Sequence, residues 1–199
     1  MQPCEKTLVI ILETNQSLNS GYQDIHREII ELCTAGNVKA QFKLYSLYSR
    51  AMFSICMRML NRREEAEDVL QEAFTEIFDK LGTFRFESAF GSWAKRIVVN
   101  KCINHLRRKK PDLRFEAELR DAEIEDDSVD YENLNLQVEK VKKAMQELPD
   151  GYRVIFSLYA LEGYDHEEIS SVLGISESTS KTQYMRAKAK IRDLIIQMT

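Results

Sequence analysis

The sequence predicts an all-α fold of two small helical domains joined by an acidic, flexible linker. Seven glycines and three prolines in 199 residues leave little turn-forming material for a β-rich fold, and apolar residues recur at three- and four-residue spacings along most of the chain. Charge divides the rest. From Arg85 to Lys110 eight bases face one acid, Glu87, a local balance of +7; from Pro111 to Asn133 the balance is −8; from Ser176 to Arg192 it is +4. The overall net charge of −4 therefore conceals two basic surfaces separated by an acidic stretch, a pattern suited to two contacts with one polyanion. This division sets an N-terminal extension of no assigned role over residues 1–23, a helical unit over 24–110, the linker over 111–133 and a second helical unit over 134–199.

In the first unit Ile25, Ile29, Ile30 and Cys33 line a helix that stops near Gly36. Asn37 is placed to cap a second helix, carrying Phe42, Tyr45, Tyr48, Met52, Ile55, Cys56 and Met59. A third helix, from about Glu64 to Leu81, keeps Ala66, Val69, Leu70, Ala73, Phe74, Ile77, Phe78 and Leu81 on a continuous apolar stripe, with Glu64, Glu65, Glu67, Asp68, Gln71, Glu72, Glu76 and Asp79 opposite. After a loop with Phe84, Phe86 and Phe90, a fourth helix from about Ser92 to Lys109 sets Ala94, Val98, Cys102 and Leu106 on one side and Arg96, Asn100, Asn104 and Arg107 on the other.

The second unit begins with helices over Leu134–Leu148, stopped by Pro149, and Tyr152–Leu161. A helix-turn-helix signature follows. Asp165 and Glu168 have capping-box spacing, Gly174 suits a left-handed helix end, and Ser176 is placed to cap the last helix. On that helix Ser180, Tyr184, Ala187, Ile191 and Leu194 mark the core side, while Lys181, Thr182, Met185 and Arg186 face away, side-chain types that reach base edges and phosphates from a major groove. An ordinary helical hairpin with a solvated basic face has the same pattern.

Several functions are excluded by what the chain lacks. No apolar run approaches the ~18 residues that cross a bilayer, and Leu8–Leu12 has neither the basic flank nor the cleavage site of a signal peptide, so no membrane insertion and a cytoplasmic location are expected. Cys4, Cys33, Cys56 and Cys102 are widely spaced and ungrouped with His26, His105 or His166; reduced thiols are expected, with no metal and no cofactor. An enzyme with an appended DNA-binding domain is disfavoured by the absence of a P-loop, a metal-ligand cluster or a nucleophile with a spaced base.

Four segments, AEDVLQEAF (66–74), FGSWAKRIVVNKCINHLRRKK (90–110), LPDGYRVIFSLYALEGYDHEEISSVLGIS (148–176) and Lys181–Ala187, resemble in order and spacing the extracytoplasmic-function (ECF) group of bacterial RNA polymerase sigma factors. The resemblance implies that residues 24–110 are sigma region 2 and 134–199 sigma region 4, in a non-catalytic subunit directing promoter-specific initiation by core RNA polymerase. It implies docking on the clamp of the largest polymerase subunit by Glu67, Asp68, Gln71 and Glu72 around an apolar centre of Val69 and Leu70. It implies recognition and melting of the promoter −10 element by Glu87, Ser88, Phe90, Trp93, Arg96, Asn100, Lys101, Asn104, Arg107 and Arg108, where cations hold the backbone, Asn and loop residues bond an extruded base, and an aromatic ring stacks. Trp93 and the three phenylalanines fit a core equally well.

Readout of the −35 element is implied for Lys181, Thr182, Gln183, Met185 and Arg186, with Lys188 on phosphate. The family often has Arg where Lys181 stands and an acid where Asn104 stands; a lone ammonium cannot make a forked contact. Tyr152, Ile155 and Tyr159 match a region that also grips the flap of the second-largest subunit, and an anti-sigma factor is the implied regulatory partner. The linker is either a solvated tether or an acidic mimic of nucleic acid in a polymerase channel. A free-standing helix-turn-helix regulator, binding duplex DNA without polymerase, is the competing reading.

Overall fold

The computed structural model describes residues 19–109 and 134–198; the N-terminal extension up to residue 18 and the acidic linker lie outside the described residues. The fold is all-α. The helices are α1 (Asn19–Thr34), α2 (Val38–Leu60), α3 (Arg63–Lys80), α4 (Phe90–Lys109), α5 (Leu134–Glu147), α6 (Asp150–Phe156), α7 (His166–Leu173) and α8 (Glu177–Gln197). A 3-10 turn, Leu81–Thr83, ends α3, and a π-helical turn, Ser157–Leu161, extends α6.

Each junction has a local chemical cause. Asn37 accepts from the Ala40 amide at 3.1 Å and starts α2. That helix ends at Asn61, which takes a left-handed conformation (φ 58°) that asparagine tolerates better than most residues. Asp165 and Glu168 form a reciprocal capping box at α7, closing on one another at 2.7 and 3.1 Å. Gly174 (φ 66°) makes the left-handed turn after α7, and Ser176 caps α8 through the Thr179 amide at 3.0 Å. The helix-turn-helix is thus fixed by side chains three residues apart.

Helices α2, α3 and α4 pack around a core of Leu44, Ile55, Cys56, Met59, Val69, Ile77, Val98, Cys102 and Ile103. Burying each aliphatic side chain of this kind contributes roughly 1.5–3 kcal/mol. Two details differ from the periodicity reading of α2. Leu44, not Phe42, enters the core: Leu44 is fully buried, whereas Phe42 is 72% exposed and Tyr45 36%. The apolar stripe is therefore displaced around the helix at its N-terminal end. Cys33, Cys56 and Cys102 are buried free thiols, and the neighbouring Cys56 thiol, with burial, raises the Cys102 pKa well above the ordinary thiol range.

The two units are joined by a shared core. Val154, Ile155 and Leu158 from α6 and its π-helical turn, with Tyr164, Ile169 and Leu173, belong to the same buried cluster as α2 and α4. A smaller cluster of Ala144, Met145, Leu148, Ala187 and Ile191 seals α5 onto α8. Arg153 fastens the junction. Only 4% exposed, it donates to the Leu148 carbonyl at 2.7 Å and the Met59 carbonyl at 3.4 Å, and pairs with Asp150. Among the described residues no helix is long and apolar enough to cross a membrane.

Candidate nucleic-acid and polymerase interface

The basic face of α4 follows from its inner face. Because Ala94, Val98, Val99, Cys102, Ile103 and Leu106 are buried, Arg96, Asn100, Asn104 and Arg107 emerge together, exposed at four-, four- and three-residue spacings. Arg108 is exposed beside them, and half-buried Lys101 lies lower on the same helix. The bases are already engaged within the chain. Lys101 pairs with Glu76 at 2.9 Å and lies 3.9 Å from Glu72, Arg108 lies 3.7 Å from Glu72, and Arg96 lies 3.8 Å from Glu168. Glu72 thus faces α4.

The loop before α4 changes the aromatic assignment. Phe90 is 5% exposed and packs edge-on to Phe84 and Tyr48, so it is a core residue and unavailable for stacking on a base. Trp93 is half-buried against Phe84 and Phe90. Phe86, beside exposed Glu87 and Ser88, is 37% exposed and takes a left-handed φ of 59°, a costly conformation for a bulky residue. Its ring packs against Phe84 at 4.8 Å between centroids, with the Arg27 guanidinium over its face. No spacing rule selected Phe86; its backbone strain and exposure do.

On α3, Glu67, Asp68, Gln71 and Glu72 are exposed. Val69 and Leu70 are not: at 0% and 6% exposure they face α2 and α4, and the apolar centre assigned to them is corrected on that ground. The six consecutive residues from Glu67 to Glu72 span more than a full turn, so some of them must point inward on a helix packed on one side. An exposed apolar surface does exist alongside: Tyr45 packs on Phe74 at 4.6 Å, and Phe42 stands one turn away on α2. Glu65, at the other end, is shared by His105 and Lys109; burial raises its pKa, but their hydrogen bonds and charges lower it overall.

On α8, Lys181, Thr182, Met185 and Lys188 are exposed and Arg186 half-buried. Gln183 is 5% exposed, between Ser180 and Ala187 on the inner face, and is withdrawn as a base-reading residue. Lys181 pairs with Glu177 at 2.6 Å, one turn earlier. Against the inner face of α8, His166 stacks on Tyr159 (4.3 Å), meets Tyr184 edge-on and has Nδ1 2.9 Å from Ser180 Oγ. Of the flap-matching residues, Ile155 is fully buried, Tyr152 half-buried and Tyr159 38% exposed.

Burial, then the Lys181 charge, lowers the His166 pKa below its ordinary value of 6.5. The unfolded chain therefore binds that proton first on acidification, so the stability His166 confers is full above about pH 6.5 and is lost as pH falls through the folded-state pKa. Urea midpoints measured from pH 7.5 to 5.5 should fall more steeply for the native chain than for His166→Gln; parallel curves would contradict this.

Comparison with known proteins identifies both helical units. Residues 44–111 match the Sigma-70 region 2 family and residues 139–191 the Sigma-70 region 4 family. The chain is 30% identical over 167 residues to the ECF RNA polymerase sigma factor SigW of Bacillus subtilis, covering 79% of this chain and 89% of that one. It is 30% identical over 181 residues to the RNA polymerase sigma-H factor of Pseudomonas aeruginosa, covering 85% and 93%. The fold resembles the sigma factor RpoE of Bartonella quintana, solved with the anti-sigma factor NepR (TM-score 0.52, 21% identity, 79% of this chain and 98% of that one). It also resembles CnrH, solved with the cytosolic domain of CnrY (TM-score 0.51, 22% identity, 87% and 98%). The chain belongs to the ECF sigma factors of the sigma-70 family.

Proposed function

We infer that this protein binds core RNA polymerase in the cytoplasm and directs initiation at promoters carrying −35 and −10 elements, without catalysis of its own. The observation that supports the reading is the row Arg96, Asn100, Asn104 and Arg107 exposed on α4, in a chain whose family matches fall on both helical units, Sigma-70 region 2 on the first and Sigma-70 region 4 on the second. Residues 24–110 act as region 2 and 134–199 as region 4. Glu67, Asp68 and Gln71 meet the basic clamp of the largest polymerase subunit, with Phe42 and Tyr45 supplying the apolar contact that Val69 and Leu70 cannot. An anti-sigma factor is the expected regulatory partner. The test is open-complex formation: core polymerase with this protein should render thymines of the −10 element reactive to permanganate, and core polymerase alone should not.

Melting needs no nucleotide hydrolysis, because contacts to the exposed strand offset unpairing. Asn100, Asn104, Glu87 and Ser88 offer hydrogen bonds to an extruded base, Arg96, Lys101, Arg107 and Arg108 hold phosphates, and Phe86 with Trp93 offers the planar surface. Stacking on an aromatic ring contributes roughly 1–3 kcal/mol per base. Phe86→Ala should therefore reduce the open-complex equilibrium about 5- to 150-fold while leaving polymerase affinity unchanged; an undiminished open complex would remove Phe86 from the site.

Lys181, Thr182, Met185 and Arg186 read the −35 element in the major groove, and Lys188 holds a phosphate. Lys181→Ala should reduce initiation about fivefold at promoters with an intact −35 element, the ~1 kcal/mol lower end of a base contact because its ammonium cannot fork, and much less at promoters with that element scrambled. Equal loss at both, measured by single-round transcription, would make Lys181 a phosphate contact.

A further inference from the structure

We propose that Arg27 of α1 is a nucleotide-stacking residue: its guanidinium and the Phe86 ring form a two-tier platform, and one base of the melted promoter strand lies on the outer, guanidinium tier. The proposal rests on reading the loop before α4 as part of the −10 strand site. The Arg27 guanidinium carbon lies over the Phe86 ring, 4.8 Å from its centroid. That ring face is therefore covered, and a base approaching it meets the cation first. The Arg27 side chain is 59% exposed, and a planar cation with a ring under one side keeps its other side for a ligand. Guanidinium planes stack on unpaired bases as aromatic rings do, and the charge adds attraction for the strand.

The surroundings of Arg27 hold this plane in place. Ile29, Ile30 and Cys33 bury the inner side of α1 in the main core. One residue before Arg27, His26 Nδ1 is hydrogen-bonded to the Tyr48 hydroxyl, and the Tyr48 ring meets Phe90 edge-on at 4.9 Å. Gly91 permits that contact, since a Cβ there would stand 3.3 Å from the Tyr48 ring. Helix α1 is thus tied to the first turn of α4. Glu31 accepts from Arg27 Nε at 3.0 Å, and no other hydrogen bond of this guanidinium is formed among the described residues. The left-handed φ of 59° at Phe86 is a conformation that a bulky residue keeps only where its surroundings impose it, as the Phe84 ring and the Arg27 cation do here. Arg27 lies outside the four motif segments and outside residues 44–111, which match Sigma-70 region 2, so neither likeness assigns it a role.

The test uses core polymerase loaded with the full chain and a fluorescent single-stranded oligonucleotide carrying the −10 element of a promoter that this holoenzyme opens. Arg27→Ala should weaken oligonucleotide binding at least about fivefold, the smallest loss expected for one stacked base, with polymerase affinity unchanged. Arg27→Lys keeps the charge and loses the plane, so it should remain at least about threefold weaker than native with an unchanged salt slope. Glu31→Gln, which removes only the lateral pair, should bind within about twofold of native. When bases are replaced one at a time by abasic sites, the loss caused by Arg27→Ala should vanish at a single position.

Tighter binding by Arg27→Ala would make Arg27 a cover that the base displaces from Phe86, and native binding by Arg27→Lys would make it a phosphate contact. A loss of equal size at every abasic position, or in Glu31→Gln as large as in Arg27→Ala, would remove the guanidinium plane from the interaction. Each of these results overturns the proposal. If no promoter is opened, or the native holoenzyme does not prefer the −10 oligonucleotide to a scrambled one, the strand-site reading fails and the proposal falls with it. If that preference is present and Arg27→Ala binds as native does, the strand-site reading stands and the proposal alone fails.

Discussion

The double substitution Asp68→Lys and Gln71→Lys is expected to weaken core polymerase binding at least about a hundredfold while leaving the fold intact. Both residues are exposed on α3, and Asp68 forms no ion pair among the described residues. Glu72 is spared deliberately: Lys101 and Arg108 lie within 3.9 and 3.7 Å of it, and reversing its charge would disturb α4 as well. Placing like charges against a basic clamp costs several kcal/mol, and about 3 kcal/mol is already a hundredfold in Kd. Exposed substitutions of this kind normally change stability by less than ~0.5 kcal/mol. The measurement is a titration of labelled protein with core polymerase beside a urea unfolding curve. Native affinity in the double variant would remove α3 from the docking surface.

The second large effect falls on stability. Asp150→Ala should destabilise the chain by about 3–5 kcal/mol, because it leaves the Arg153 guanidinium buried without its carboxylate. In a chain of this length that is on the order of a 10 °C fall in the unfolding midpoint. Arg153→Met should cost less, since Asp150 has more exposure than Arg153 and no buried charge is stranded. A calorimetric scan ranking Arg153→Met as the more damaging change would show that the two carbonyl contacts, to Leu148 and Met59, matter more than the ion pair.

These residues divide by how far apart in sequence their causes lie. Asn37, the Asp165–Glu168 box, Gly174 and Ser176 were legible because each acts within three residues of itself. The acidic face of α3 and the Asn/Arg row of α4 were legible for the same reason, as complements of a regular apolar stripe. Val69, Leu70, Phe90 and Gln183 were placed in functional surfaces by motif position; all four are buried. For Gln183 the spacing already held the answer, since three and four residues separate it from the inward-facing Ser180 and Ala187. Glu162 and Arg58, which form an ion pair between the two units, are 104 residues apart, and no local pattern in either segment announces their meeting. Phe86 escaped because its signal is a backbone angle, not a periodicity.

The most direct measurement is transcription from a genomic promoter library by core RNA polymerase with and without this protein, alongside duplex DNA binding by the protein alone. Initiation that depends on the protein, at promoters sharing two elements at fixed spacing, with weak salt-sensitive binding by the isolated chain, is the expected result. Tight, sequence-specific duplex binding without polymerase, together with no initiation in its presence, would contradict the sigma function and leave a free-standing helix-turn-helix regulator.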